Sequence, residues 1–276
     1  MMSTTLRDMQ IRIVVAGYGP VGRALYEVLN RDLNHDMYID DPYKFNELEI
    51  SEKEWPHAVV VAVATPKGPD GKCDTSNVND VFEKYGKAPK YLVKSAVDPV
   101  YLSKMGEEGY NITYSPEFLK GSTSGDPTAD FLNSELAIYG GGSMRWWHEK
   151  LKPYFTDLKV VRYTSLEQAA FAKYVENSFL ATKVTFFNEM YQIYNALGFK
   201  DFDIMVEAIC NDSRIGHSHT QVPGPDGKFG YGGHCLPKDV AAIANLGKEY
   251  GAPTYLLEAI QSANEVYRNE NSVGES

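Results

Sequence analysis

The sequence predicts an α/β chain, with an N-terminal parallel sheet followed by a helical domain built on one long helix. Three observations carry this. Ile11-Arg-Ile-Val-Val-Ala16 is a short β-branched run that leads at once into Gly17-Tyr-Gly19-Pro20-Val21-Gly22, after which Leu25, Val28 and Leu29 continue one apolar helical side. Further short apolar runs recur through the first half of the chain. From Ser165 to Leu197 one uninterrupted helical pattern runs between a capping serine and Gly198. The boundaries expected are residues 1–164 for a sheet domain of the Rossmann type and 165–276 for a helical domain.

Each element has a local reason. Strand, GxGxxG and helix in that order is the context in which Gly17, Gly19 and Gly22 make a tight turn, Pro20 opens the helix, and a pyrophosphate rests on the helix N-terminus. Met37-Tyr-Ile39 reads as a second strand ending in Asp40-Asp41, and Asp40 stands where this motif wants a carboxylate for a ribose 2′-hydroxyl. An acid there favours NAD over NADP, whose 2′-phosphate it would repel. Ala58-Val-Val-Val-Ala-Val-Ala-Thr-Pro66 reads as a buried strand with Thr65 at its carboxyl end, the end at which parallel sheets bind ligands. Tyr91-Leu-Val-Lys-Ser95 reads as another strand ending at that crevice, Ile112-Thr-Tyr114 leads into Ser115-Pro-Glu117-Phe118-Leu119-Lys120, and Glu135–Tyr139 completes the predicted sheet.

In the second half, Lys173 and Asn177 share a face of the long helix and Asn188 continues it, which reads either as solvated side chains or as a polar seam. Asp201–Ala208 reads as a short helix. Arg214 after it suits a surface charge or a phosphate ligand equally. Phe229-Gly-Tyr-Gly-Gly-His-Cys-Leu-Pro-Lys-Asp239 places Cys235 between a glycine turn and a helix that Pro237 is expected to open. A helix N-terminus and Lys238 both favour a thiolate, and Asp239 lies in the same turn, so Cys235 reads as a nucleophile or as a structural thiol.

Composition bounds the class. Hydrophobic residues make up 43% and charged residues 23%, as expected of a globular protein. The net charge of −10 argues against nonspecific nucleic-acid binding. Three widely spaced cysteines fit a reducing compartment better than a disulfide framework, and His217 with His219 lacks the further ligands of a metal site. With no apolar run long enough for a membrane span and no signal-peptide pattern, the expected location is cytoplasmic.

Taken in order, GxGxxG, Val63-Ala-Thr-Pro66, Lys94-Ser95, Ser115-Pro-Glu-Phe-Leu-Lys120, Lys173-Tyr-x-x-Asn177, Asp212-Ser-Arg-Ile-Gly216 and the cysteine turn resemble the UDP-glucose/GDP-mannose dehydrogenase family across essentially the whole chain. The resemblance implies NAD as cofactor, a nucleotide-sugar substrate and a four-electron oxidation of its C6 alcohol. It implies Cys235 as the nucleophile, Lys173 and Asn177 as oxyanion donors, Asp239 in proton removal and Glu117 as the group that activates water. It further implies Thr65 and Ser95 on the cofactor. Phe118, Leu119, Lys120, Arg214, Phe229, Gly232 and Lys238 fall on the substrate side, with a homodimer formed through the long helix. Two alternatives stand beside it, a non-catalytic NAD-binding subunit and a two-domain hydroxyacid dehydrogenase that needs no cysteine.

The chain departs from the family pattern in three places. Ala96 stands where members carry threonine, and Gly121 follows Lys120 where most carry a second glutamate. Members also continue into a second Rossmann-like domain, whereas this sequence ends at Ser276, so the expectation is a reduced enzyme or a domain supplied separately.

Overall fold

The structure, a computed structural model, describes residues 10–45, 55–68, 71–117 and 126–270. They form two compact units, Met1–Pro66 with Cys73–Lys173, and Lys67–Lys72 with Tyr174–Ser276.

The first unit is a seven-stranded sheet flanked by helices. Its strands are β1 (Ile11–Ala16), β2 (His35–Asp40), β3 (Ala58–Val61), β4 (Lys90–Val93), β5 (Asn111–Tyr114), β6 (Leu136–Gly141) and β7 (Val160–Thr164), in the spatial order β2-β1-β3-β4-β5-β6-β7. All neighbours are parallel except β5 and β6. The order reverses between β1 and β3, the switch point at which such sheets hold their ligands.

Because successive strand residues face opposite sides, the β-branched runs feed two cores. Val14, Ala16, Val59 and Val61 pack with Phe82 and Tyr85 of α2 (Ser76–Tyr85) and Leu102 of α3 (Pro99–Glu107). Ile13, Val15, Ala58 and Val60 pack with Leu25 and Leu29 of α1 (Pro20–Leu29), Phe131 of α4 (Pro127–Leu132) and Trp147 of α5 (Met144–Leu151). Each fully buried Val, Leu, Ile or Phe among them contributes roughly 1.5–3 kcal/mol.

The structure corrects several sequence expectations. The run Ala58–Pro66 stays in the sheet only to Val61, because β1 ends opposite it at Ala16 and the chain beyond lacks that partner. Glu135–Tyr139 does not complete the sheet: β6 pairs onward with β7, a half-exposed edge strand whose weak apolar signal hid it.

The long helix α6 (Leu166–Ala196) begins with a capping box. The Ser165 hydroxyl accepts from the Gln168 amide and the Gln168 side chain accepts from the Ser165 amide, each at 3.2 Å. Gly198 follows its end with φ +78°, the left-handed conformation that closes helices without a Cβ penalty.

In the second unit Phe187 of α6 packs with Phe202, Val206 and Cys210 of α7 (Phe202–Cys210), which makes Cys210 a core residue. Ala181 packs with Tyr231, with Val240 of α8 (Cys235–Glu249) and with Ile260 of α9 (Tyr255–Glu270). Helix α8 opens at Cys235, two residues before the expected Pro237. Proline fits there because the first turn's N–H groups have no helical acceptor to lose. Among the described residues no helix is long and apolar enough to cross a membrane.

Candidate functional site

The glycine loop is shaped for close approach. Gly17 has φ +86°, and a Cβ there would lie 2.7 Å from the Ala62 carbonyl oxygen; one on Gly22 would lie 1.9 Å from the Gly17 carbonyl oxygen. Gly19 caps α1 with no side-chain hydrogen bond, has open space around its Cα, and is followed by Pro20 and Val21 in the first turn. Uncapped N–H groups at the positive end of a helix suit a phosphate.

Two adjacent acids close this loop differently. Asp40, at the end of β2, accepts from the Tyr85 hydroxyl at 2.6 Å and the Lys84 ammonium at 3.1 Å, which turns its carboxylate toward α2. Burial, followed by the Asp40 carboxylate, pushes the Tyr85 phenol pKa well above its ordinary value, so the phenol remains a donor. Asp41 instead accepts from the Tyr18 amide inside the glycine loop at 2.8 Å. The carboxylate tied to the glycine loop is therefore that of Asp41, while Asp40, the acid named from the sequence, is held by Tyr85 and Lys84. Thr65 is buried past the end of β3, and Ser95, past β4, donates to the Val63 carbonyl at 2.7 Å.

Glu117 lies beyond β5 in the same unit, in a pocket lined by Lys94, Ser115, Phe131 and Tyr139. Its carboxylate is 3.1 Å from the Lys94 ammonium, which also reaches the Ser115 hydroxyl at 3.3 Å. The Lys173 ammonium donates to the Glu117 backbone carbonyl. Glu117 is thus held at both ends by buried or half-buried lysines. Phe118, Leu119, Lys120 and Gly121 lie outside the described residues.

In the second unit, Asn177 and Asp239 are 4% and 1% exposed. The Asn177 amide donates to Asp239 at 2.5 Å, and the Lys238 ammonium donates to the other carboxylate oxygen at 2.7 Å. The polar seam on α6 is therefore a satisfied buried cluster rather than a solvated face, as a buried carboxylate requires. Asp239 lies one turn after Cys235, which opens α8 and is exposed. Asn188, 1% exposed, accepts from the Gly230 amide at 2.9 Å and ties α6 to the glycine turn.

Arg214 is exposed and forked onto Asp212, with contacts of 2.6 to 3.1 Å. Lys183 of α6 donates to the carbonyls of Ile215 and Gly216 at 2.8 and 3.0 Å, fixing the end of that loop. Burial pushes the Lys183 ammonium pKa down, an effect the Cys210 thiol partly opposes. Phe229 packs on Tyr191, their ring centres 5.6 Å apart. A Cβ on Gly232 would lie 2.1 Å from the Arg268 guanidinium, so a larger residue there must displace Arg268.

The chain thus has a glycine loop at the switch point of a mostly parallel sheet, followed through α6 by a helical unit that carries Cys235. Residues 167–266 match the central domain of the UDP-glucose/GDP-mannose dehydrogenase family, and the chain belongs to that family. The family is NAD-dependent. The chain is 28% identical over 277 residues to a UDP-glucose 6-dehydrogenase of Bacillus subtilis, which covers 95% of this chain and 57% of that protein. It is 30% identical over 237 residues to the UDP-glucose 6-dehydrogenase of Rickettsia conorii, which covers 81% of this chain and 52% of that protein. The chain thus spans about half the length of the curated relatives it matches.

Among solved structures, a UDP-glucose dehydrogenase from Pyrobaculum islandicum superposes with a TM-score of 0.77 at 23% identity, covering 93% of this chain and 68% of that one. The 3-hydroxyisobutyrate dehydrogenase of Mycobacterium tuberculosis shares the fold at a TM-score of 0.67 and 16% identity, covering 96% and 94%.

Proposed function

We propose that this chain oxidises the C6 alcohol of a nucleotide sugar, UDP-glucose first among them, to the carboxylate in a four-electron reaction with a covalent stage on Cys235. The observation that supports this most is the buried Asn177–Asp239–Lys238 cluster one helical turn from an exposed cysteine at a helix start. Gly17, Gly19, Gly22 and Asp41 would hold the dinucleotide, with Thr65 and Ser95 at its nicotinamide side. Bound NAD+ supplies a hydride acceptor for each of the two oxidations.

In the first oxidation the alcohol proton leaves toward Asp239, through a water or Lys173, as the aldehyde forms. The Cys235 sulfur then bonds to the aldehyde carbon and its proton passes to the oxygen, giving a thiohemiacetal. Loss of hydride and the hydroxyl proton leaves a thioester. Lys173 and Asn177 donate to that oxygen while it carries negative charge, the kind of stabilisation worth about 3–4 kcal/mol per donor. Asp239 keeps the Asn177 amide aimed by holding its N–H. Glu117 takes a proton from the water that adds to the thioester, releasing the carboxylate and the Cys235 thiol. Arg214, Phe229, Gly232, Lys238 and residues 118–120 are assigned to the substrate.

The Glu117 carboxylate is engaged by the Lys94 ammonium at 3.1 Å and must leave that contact to meet the water. With Ala96 and Gly121 at the positions noted above, thioester hydrolysis is the slow step. Incubation with NAD+ and UDP-glucose is expected to form two NADH per sugar, with a thioester-linked mass on Cys235 during turnover. No NADH from any nucleotide sugar would sink the proposal, and bound NAD+ with no turnover would favour a non-catalytic subunit. Full activity in Cys235→Ala would favour the hydroxyacid dehydrogenase. We further propose a homodimer and, from three cysteines and no disulfide pattern, a cytoplasmic location.

A further inference from the structure

The helix that presents Cys235 has no cap of its own. Its N-cap residue, His234, makes no side-chain hydrogen bond to the first turn. Two glycines, Gly232 and Gly233, precede His234, so the backbone leading into Cys235 is intrinsically loose. Fixation comes from just upstream. The Asn264 side chain on α9 accepts from the Tyr231 amide at 2.7 Å and donates to the Tyr231 carbonyl at 3.1 Å, closing both backbone groups of one residue. Arg268, one turn further along α9, donates to the Tyr231 carbonyl at 3.0 Å and to the Gly230 carbonyl at 3.1 Å. A third donation, to Asp226 at 2.6 Å, holds the guanidinium in place.

These contacts leave little slack. Tyr231 is 3% exposed and packs with Val240 of α8 and Ile260 of α9. Gly230, at φ +73°, also gives its amide to Asn188, and a Cβ on it would lie 2.4 Å from the Asn264 oxygen. The Arg268 Nε and both terminal nitrogens each donate within the protein, so the guanidinium is held from three directions.

We propose that Asn264 and Arg268 are positioning residues for Cys235: they clamp the Gly230–Tyr231 backbone and so fix where the chain enters α8 with its sulfur exposed. The inference rests on the proposed covalent role of Cys235. Misplacing a reacting group by about 1 Å can cost roughly a hundredfold in rate, so a clamp of this kind acts on kcat rather than on cofactor binding.

The test compares wild type with Arg268→Ala, Arg268→Lys and Asn264→Asp. Asn264→Asp keeps the acceptor for the Tyr231 amide but loses the donor to its carbonyl. Hydrogen exchange by mass spectrometry over residues 226–236 is expected to quicken in all three, with peptides of the β-sheet unchanged. NADH formation with UDP-glucose is expected to fall roughly tenfold to a hundredfold in kcat for Arg268→Ala, with KM for NAD+ unchanged. Arg268→Lys should recover part of the loss, and added guanidinium ion should partly rescue Arg268→Ala. An active wild type whose variants keep kcat, or whose exchange over 226–236 does not change, overturns the clamp. A fall in thermal stability matched by loss throughout, with no rescue, reduces it to ordinary packing. An inactive wild type overturns the proposed reaction itself and takes the catalytic role of the clamp with it.

Discussion

At the scale of single residues, the acids Asp40 and Asp41 show what a strand end decides. Both are at most 8% exposed, yet one is spent on Tyr85 and Lys84 and the other on the glycine loop. Asp41→Asn is therefore expected to raise the Kd for NAD+ about tenfold, the loss of one charged hydrogen bond, while Asp40→Asn lowers thermal stability and leaves NAD+ binding near wild type. A fluorescence titration decides it, and the reverse ranking would return the ribose to Asp40. His57 offers a pH test. Its Nδ1 accepts from the Arg12 amide at 3.0 Å, an interaction that requires the neutral ring. Burial first, then the charges of Arg12 and Lys90, lowers its pKa. The unfolded chain thus binds the proton more readily, and stability falls as pH drops through about 6.5, the ordinary histidine value. The urea midpoint should decline across that range in wild type and decline less in His57→Gln; parallel declines would contradict the assignment.

At the scale of elements, β1, the glycine loop and α1 were legible because their signals are local: a β-branched run, three glycines at fixed spacing and an apolar helical face. Helix α6 was legible for the same reason, from Ser165 to Gly198. What stayed hidden depended on partners distant in sequence. Strand β7 needs β6 to exist, and the choice between Asp40 and Asp41 needs the register Ala16↔Asp40, since a one-residue slip exchanges the faces. Asn264 and Arg268 look like an ordinary polar pair one turn apart on a helix, with nothing nearby to mark the turn they hold. The cysteine was legible as a candidate, and the role proposed for it leans on the Asn177–Asp239 contact one turn away, which joins residues 62 positions apart. The α6 cap carries its own test. Ser165→Ala removes the hydroxyl that accepts from Gln168, which should cost about 1 kcal/mol, read as a lower urea midpoint at unchanged slope. An unchanged midpoint would show that packing by Leu166, Ala169 and Ala170, rather than the cap, fixes where the helix starts.

At the scale of the whole molecule, one helix serves both units: Lys173 closes the first and Asn177 lies one turn into the second, so α6 links the two halves of the proposed chemistry. Part of the apolar surface of α6 is exposed. Val175, Phe179, Phe186 and Ile193 recur every four or seven positions at its exposed side, with relative exposures from 47% to 65%. A stripe at that spacing matches a helix packing face, and a second copy of the same helix carries the same stripe, so a two-fold pairing would cover both at once. Phe179 and Phe186 are the largest side chains on it. Burying each would contribute roughly 1.5–3 kcal/mol per copy, whereas a glutamate in their place would be left without a partner in an apolar seam. Wild-type protein is therefore expected to sediment as a dimer, and Phe179→Glu with Phe186→Glu as a folded monomer with unchanged circular dichroism. A wild type that sediments as a monomer at micromolar concentration, or a double variant that stays dimeric, would remove α6 as the pairing surface.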